Sequence, residues 1–393
     1  MKTPVLQAFR KLPVLLLILL AGWQVLQPGP ESADPLQEPL LMPARQAATS
    51  LIRNPLDLQA ALALFQSRAK DPALATYLAR IGPAHSPVQL ALADFWSQQG
   101  DAVRTLEALN VVMVRNKETR APLLPVLQRW AGEPPTRDRM LAFAQEAPAW
   151  WPAFFEYLCE QEPDLERVRT FYRLRLSAAQ PPSAWERSRY VSRLIRERHW
   201  QEAWLVWRSG VPMAQLSRNG LLQDGGFESG SSNQGFYWHL LPTPDVDIRP
   251  DITYGMEGRR ALHILFRNPD TDIAFNQVWQ RLILPPDEYV LNLQYRLDEP
   301  GGGELVWRVR CMDDGRLLGA GLPLQGQSDW TSQQFSFRVP RDPACQAQLL
   351  RLEGAGGQLH ERVFSGGVWL DALVLEPKLH LTTARTAGSE AGR

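Results

Sequence analysis

The chain has 393 residues, and 45% of them are hydrophobic, which is enough for sizeable cores in two or three domains. Lysine plus arginine and aspartate plus glutamate each number 42, so the formal net charge is zero. A nucleic-acid partner bound through phosphate neutralisation is therefore not expected, although a local charged patch is compatible with this balance.

Residues 1–26 combine a positive flank with an apolar run. Three cations, Lys2, Arg10 and Lys11, precede a mostly apolar stretch that ends at Leu26. This order predicts a cytoplasmic N-terminus and a chain that crosses the membrane once. Because a clear A-x-A cleavage site is missing, an uncleaved signal anchor is favoured over a signal peptide. We expect a single-pass inner-membrane protein with a periplasmic bulk, and secretion after cleavage is the alternative.

Helical periodicity follows a proline-rich linker. The linker, residues 27–46, contains five prolines, which predict an extended spacer. In residues 47–215 apolar positions recur at three- and four-residue steps, with frequent Gly and Pro between them. The segment 88–113, VQLALADFWSQQGDAVRTLEALNVVM, resembles a tetratricopeptide-type helical hairpin, with Gly100 at its turn. That resemblance implies a protein partner, and a helical spacer without a ligand is the alternative.

The pattern changes to short alternating runs after Gly220. Strands are predicted at 261–266, 276–284, 289–296, 304–311, 335–339 and 368–375. Their spacing and their Gly and Pro turns indicate an antiparallel β-sandwich over residues 216–378. The last segment, 379–393, has the composition of a disordered tail. The predicted fold is thus multidomain α + β, with a membrane anchor, a helical repeat-like region and a C-terminal jelly roll.

Three motifs in this second region resemble one family of folds. They are LLQDGGFESG followed by FYWHL, then VWQRLILPPDEYVLNLQYR, and finally GGVWLDALVLEP. In this order, over residues 219–377, they resemble carbohydrate-binding-module-like, galactose-binding-like jelly rolls. The resemblance implies that Phe227 and Trp238 pack inward. It does not specify a ligand, because such folds also serve as structural modules.

The same resemblance implies a structural calcium ion. The matching carboxylates are Glu228 near the start of the domain and Asp371 near its end, together with Asp224. Calcium needs several oxygen ligands, including backbone carbonyls that a sequence cannot count. We therefore expect that no cofactor is required, and a structural calcium ion is the one candidate.

Two of the three cysteines, Cys311 and Cys345, lie in the predicted sandwich, and Cys159 lies in the helical region. A Cys311–Cys345 disulfide requires an oxidising compartment. Two buried thiols are the alternative, and the sequence leaves the choice open.

Glycan binding requires an aromatic platform beside planar polar groups that hydrogen-bond hydroxyls. The candidate residues are Tyr237, Trp279, Trp330, Arg296, Arg308 and Arg310. The alternative is that the two tryptophans anchor the core or the loops. If the three arginines share a face, an acidic polysaccharide is favoured over a neutral one.

Catalytic motifs are missing from the sequence: it contains no GxSxG, HExxH, P-loop or GxGxxG pattern. We therefore expect a protein that is not an enzyme. The favoured function is a membrane-tethered binding protein whose jelly roll binds a glycan and whose helices bind a protein, in envelope polysaccharide assembly or export. The alternatives are a scaffold in which both domains bind protein, and a polysaccharide-active enzyme.

Overall fold

A computed structural model gives the architecture of the chain. It describes residues 42–67, 71–216, 220–229, 232–254, 258–268, 271–326, 329–356, 358 and 362–378. The chain divides into two compact units after Tyr190, which we call the helical unit and the sandwich unit. The sequence placed the boundary at 215–216 instead. The difference arises because the helix Trp200–Arg208 packs within the sandwich unit: Trp200 Nε1 donates to Asp313 Oδ1 at 3.1 Å, and the Trp207 ring lies 5.6 Å from Phe236.

Short helices extend from residue 44 to residue 216, as the periodicity predicted. They are α1 Ala44–Arg53, α2 Leu58–Ser67, α3 Pro72–Ile81, α4 Ser86–Gln99, α5 Ala102–Arg115, α6 Arg120–Gly132, α7 Thr136–Glu146, α8 Trp151–Gln161, α9 Leu165–Leu176, α10 Ala184–Arg196, α11 Trp200–Arg208 and α12 Met213–Leu216, with a 3₁₀ turn at Lys117–Thr119.

The predicted hairpin at 88–113 is formed by α4 and α5. Gly100 ends α4 in the left-handed conformation at φ 78°, which a residue without a Cβ adopts readily. Asp101 precedes α5 as its N-cap, and its side chain accepts the Arg104 backbone N–H at 3.0 Å. The hairpin is confirmed, whereas a tetratricopeptide-like repeat stays a prediction.

A buried ion pair lies in the core of the helical unit. Glu186 accepts a hydrogen bond from Arg175 Nε at 2.8 Å and another from Trp151 Nε1 at 2.9 Å. The three side chains are almost completely buried. Burial alone would raise the pKa of Glu186, but the bonds from Arg175, Ser183 and Trp151 outweigh it and lower that pKa.

The sandwich unit contains two five-stranded antiparallel sheets. Its strands are β1 His239–Leu240, β2 Val246–Asp251, β3 Ala261–Phe266, β4 Val278–Leu282, β5 Glu288–Gly302, β6 Leu305–Cys311, β7 Leu317–Ala320, β8 Thr331–Arg338, β9 Gln348–Gly354 and β10 Phe364–Pro377. Sheet A has the order β1-β4-β9-β6-β7, and sheet B has the order β2-β3-β10-β5-β8. Apolar side chains from both sheets form one core. The predicted β-sandwich is confirmed.

Phe227 and Trp238 pack inward, as expected. Both side chains are buried, and their rings lie 5.1 Å apart. Trp238 Nε1 donates to the Asp224 carbonyl at 3.0 Å, which satisfies the one polar group of a buried indole. A disulfide joins Cys311 at the end of β6 to Cys345, 34 residues later.

No helix within the described part of the chain is long and apolar enough to cross a membrane. This finding contradicts the prediction of a single-pass inner-membrane protein with a periplasmic bulk, and we correct that prediction here. The predicted anchor, residues 1–26, and the predicted tail, residues 379–393, lie outside the described residues, as does the linker up to residue 41.

Candidate functional site

The outer side of sheet A carries a set of polar and aromatic side chains. In β6, Trp307 and Val309 enter the core, so the alternating Arg308 and Arg310 point outward. Their neighbours on β1, β4 and β9 point the same way. We call this surface the sheet A face; its residues are His239, Trp279, Arg281, Arg308, Arg310, Arg351 and Glu353.

Strand register places four of these residues in one row. Trp279 of β4 pairs with His239 of β1 on one side and with Arg351 of β9 on the other. Arg351 pairs in turn with Arg308 of β6. Directly paired side chains in an antiparallel sheet lie within about 5.5 Å at Cβ, so the row is continuous across four strands.

Glu353 is the carboxylate around which three guanidinium groups gather. It accepts hydrogen bonds from Arg351 Nε at 2.7 Å, from Arg308 Nη1 at 2.8 Å and from Arg310 Nη2 at 3.5 Å. Burial alone would raise the pKa of Glu353, but these charged donors outweigh it and hold that pKa below its usual range. The arginines stay accessible, because their side chains are 22–31% exposed, against 11% for Glu353.

Trp279, His239 and Arg281 form a second group on the same face. The imidazole of His239 stacks on the Trp279 ring at 3.6 Å with an interplanar angle of 6°, and Arg281 Cζ lies 4.6 Å from the Trp279 ring centroid. Burial, and secondarily the charge of Arg281, lower the pKa of His239 to about 4, although a bond to the Gly235 carbonyl raises it slightly. Burial lowers the pKa of Arg281 to about 10. At neutral pH the histidine is therefore neutral and the arginine is charged.

A cleft of about 290 Å³ opens at one end of the sheet A face. Arg351 and Glu353 line it, together with Asn276, Arg362 and Phe275. The cleft places a carboxylate, two guanidinium groups and an amide within reach of one bound group, and Asn276 lies three residues from Trp279 in the chain. Such a mixture of planar polar groups can hydrogen-bond several hydroxyl or carboxylate oxygens.

Three of the six predicted site residues, Trp279, Arg308 and Arg310, lie together on the sheet A face. Arg296 lies in β5 of sheet B, so the condition that the three arginines share one face is not met. Trp330 lies beside Arg296, at 5.5 Å from its guanidinium. Tyr237 precedes β1, and its ring lies 4.8 Å from that of Trp207 in α11.

Arg296 is enclosed by aromatic rings on the outer side of sheet B. Its guanidinium lies 4.7 Å from the Tyr254 ring centroid and 5.2 Å from that of Trp369. Asp298 accepts from both Arg296 Nε at 3.0 Å and Trp369 Nε1 at 2.7 Å. With its side chain 4% exposed, Arg296 is held by internal contacts, which fits a structural anchor.

The predicted calcium ligands lie in one neighbourhood. A Cβ placed on Gly226 would lie 3.5 Å from Asp371 Oδ1 and 3.9 Å from Glu228 Cγ. Asp224 and Glu228 each accept backbone N–H bonds through their carboxylates. Among the described residues, no three His, Cys, Asp or Glu side chains are grouped closely enough to hold a metal ion. A calcium ion here would need backbone carbonyl ligands, so this site stays a prediction.

Four residues of the sheet A face were missed from the sequence: His239, Arg281, Arg351 and Glu353. A signal existed for Arg351 and Glu353, because they alternate with buried leucines in β9. For Arg281 the signal was its position two residues after Trp279, on the same side of β4.

Comparison with known proteins gives matches among solved structures only. No family model and no curated protein matches the sequence. The CBM22-1 xylan-binding domain of Xyn10C from Paenibacillus barcinonensis matches at 14% identity over 39% of this chain and 91% of that chain, with a TM-score of 0.29. The module TmCBM61, solved with β-1,4-galactotriose, matches at 15% identity over 41% of this chain and 99% of that one, with a TM-score of 0.29.

An arabinose-bound GH51 α-L-arabinofuranosidase, MgGH51, also matches, at 14% identity over 40% of this chain. The match spans only 26% of that enzyme, and its TM-score is 0.31. Solved carbohydrate-binding modules are thus among the structures that this chain is similar to, as the sequence motifs predicted. The ligands named for those structures are ligands of those proteins, and the comparison does not assign them to this chain.

Proposed function

We propose that the sandwich unit binds a glycan, without catalysis, on the sheet A face. The observation that carries this proposal is the row in which Trp279 stands in register with Arg351 and Arg308, beside Glu353. Sugars bind where an aromatic side chain contacts the apolar side of the ring while fixed polar groups bond its hydroxyls. The row provides both kinds of group on one sheet, which holds them in fixed positions.

The charge state of Glu353 supports binding over hydrolysis. Glycoside hydrolysis uses two carboxyl groups, one of which has a raised pKa so that it can donate a proton. Three arginines lower the pKa of Glu353, which favours a permanent hydrogen-bond acceptor. Among the described residues that line the cleft, Glu353 is the single carboxylate.

The test is a glycan-binding measurement on the full chain with two matched tryptophan variants. Trp279→Ala removes the aromatic ring of the sheet A face, and Trp330→Ala removes a ring from the outer side of sheet B. We expect Trp279→Ala to weaken binding by about 2 kcal/mol, or roughly thirtyfold, which is typical of an aromatic hot spot. Trp330→Ala should bind as the unmodified protein does. Binding that survives Trp279→Ala but is lost in Trp330→Ala would place the site on the other sheet.

We also propose a protein partner for the helical unit, supported by a cleft of about 420 Å³. Leu92, Trp96 and Val111 contribute its apolar surface, and Arg104 stacks over the Trp96 ring at 4.4 Å. Exposed aromatic and arginine side chains are typical of protein-binding hot spots. Trp96→Ala, which leaves the buried Leu92 in place, should lose a partner that the unmodified chain holds. A role in polysaccharide assembly or export remains a prediction from the sequence.

A further inference from the structure

The sheet A face carries more positive charge than its own carboxylate can neutralise. Four arginines lie on it, at 281, 308, 310 and 351, and His239 is neutral at pH 7. Both oxygens of Glu353 already accept bonds from arginines 308, 310 and 351. The face therefore has a net charge of +3 among these residues, although the whole chain is neutral.

Arg281 is the least neutralised of these cations. Among the described residues no Asp or Glu forms an ion pair with it; its Nη1 donates to the Gly235 carbonyl at 2.9 Å and contacts His239 Nε2 at 3.1 Å. Its Nε is buried and makes no hydrogen bond within the part of the chain that the structure describes. Burial of a guanidinium without a counter-ion is unfavourable, which agrees with the lowered pKa of this group.

We propose that the sheet A face binds an acidic polysaccharide, with Arg281 as the residue that pairs with the anionic group while Trp279 contacts the sugar ring. This inference rests on the proposed glycan-binding function and names the class of glycan. A guanidinium presents a planar fork of donors that matches a carboxylate or a sulfate ester, and it is more weakly hydrated than an ammonium group. The position of Arg281, 4.6 Å from the Trp279 ring centroid, lets one sugar unit reach both residues.

The experiment compares polymers that share a backbone and differ in charge. The full chain is titrated calorimetrically with polygalacturonate and with the same polymer after its carboxyl groups have been reduced to alcohols. Dextran sulfate and dextran form a second pair, which tells whether carboxylates or sulfates are preferred. We expect at least about tenfold tighter binding to one acidic polymer than to its neutral form, as one net ion pair gives. Raising the ionic strength from about 0.01 M to 0.15 M should weaken that preference, because the Debye length falls from about 30 Å to 8 Å.

Two variants and one control test whether the preference for acidic polymers depends on the arginines of the sheet A face. Arg281→Gln should lower the affinity for the acidic polymer to that for its neutral form, so that the preference is lost. Arg249→Gln, which removes an exposed arginine from the outer side of sheet B, should change neither. If Arg281→Gln does not fold, because it loses its bond to the Gly235 carbonyl, Arg310→Gln at the accessible edge of the network serves as the second variant and should reduce the preference.

The outcomes separate this inference from the proposed function. Equal binding of acidic and neutral polymers overturns the inference and leaves glycan binding in place. No binding to any of the four polymers overturns both. A preference for acidic polymers that persists in Arg281→Gln and in Arg310→Gln also overturns the inference, because the anion is then bound elsewhere.

Discussion

Substitution of Glu353 by glutamine tests the arginine network directly. Glutamine keeps the shape of the side chain and one acceptor oxygen, but it removes the negative charge on which Arg308, Arg310 and Arg351 converge. The perturbation therefore leaves three mutually repelling guanidinium groups without their common counter-ion. We expect the sandwich unit to become less stable and its sheet A face to become more positive.

The size of the stability loss follows from the geometry. Two of the three bonds are short, at 2.7 and 2.8 Å, and a hydrogen bond to a charged group contributes about 1.5–3 kcal/mol. The arginines are 22–31% exposed, so water replaces part of what each loses. We therefore expect a loss of about 2 kcal/mol in the free energy of unfolding. For a unit of this size that corresponds to a decrease of roughly 4–8 °C in Tm.

Calorimetric melting of the full chain at several pH values is the assay. Because the pKa of Glu353 is lowered by folding, its contribution is fully present above the ordinary glutamate pKa of about 4.3 and is lost as the pH falls through the folded value. The difference between the unmodified protein and Glu353→Gln should thus be largest near pH 7 and should shrink in acid. Glu376→Gln, at an exposed position of β10, is the matched control and should change Tm little.

Glu353→Gln should lower the stability of the sandwich unit but raise its affinity for an acidic polymer. Without its own carboxylate the face should bind an acidic polymer more tightly, while a neutral polymer should bind equally well or less well. A variant with unchanged Tm at pH 7 and unchanged affinity for acidic polymers would refute the reasoning, because neither the charge network nor its competition with a ligand would then exist.

Further expected outcomes concern both units. Glu186→Ala leaves Arg175 buried without its counter-ion and should destabilise the helical unit by about 3–5 kcal/mol in urea denaturation, and a loss below 1 kcal/mol would contradict a buried pair. Replacing Cys311 and Cys345 by alanine opens a loop of 34 residues and should lower the stability of the sandwich by about 4 kcal/mol; equal urea midpoints would show that the bond does not constrain the unfolded chain. If calcium binds, saturating calcium should raise Tm over that in chelator, and Asp371→Asn should abolish the rise; identical melting curves would remove the calcium prediction.

Alternation predicted the strands that show it cleanly. The predicted strand 261–266 coincides with β3, and the predicted run 304–311 contains β6. Strand β9, Gln348–Gly354, was missed because it begins with a polar residue on the core side. Gln348 can occupy that buried position because its side chain accepts the Leu284 backbone N–H and donates to the Cys345 carbonyl. These hydrogen bonds come from residues outside the strand, so the local sequence pattern does not predict them.

Missing β9 also concealed the site, because β9 lies between β4 and β6 in sheet A and carries Arg351 and Glu353. Alternation along a strand tells which side chains leave the core, but it does not tell which sheet the strand joins. Strands β5 and β6 follow each other in the chain and alternate equally well, yet they belong to different sheets. Arg296 and Arg308 consequently point away from the core in opposite directions, which the sequence alone could not distinguish.

The contrast between Arg296 and Arg281 shows why the sheet A face, and not the outer side of sheet B, is the place for an anion. Both are substantially buried arginines near tryptophan. Arg296 has Asp298 at 3.0 Å and three aromatic rings around it, so an incoming anion would have to displace a carboxylate. Arg281 has a carbonyl and a neutral imidazole instead, which contribute partial charges but no counter-ion. Since the whole chain is neutral, attraction of an anion depends on this local excess of charge, and it should act over no more than a Debye length from the face.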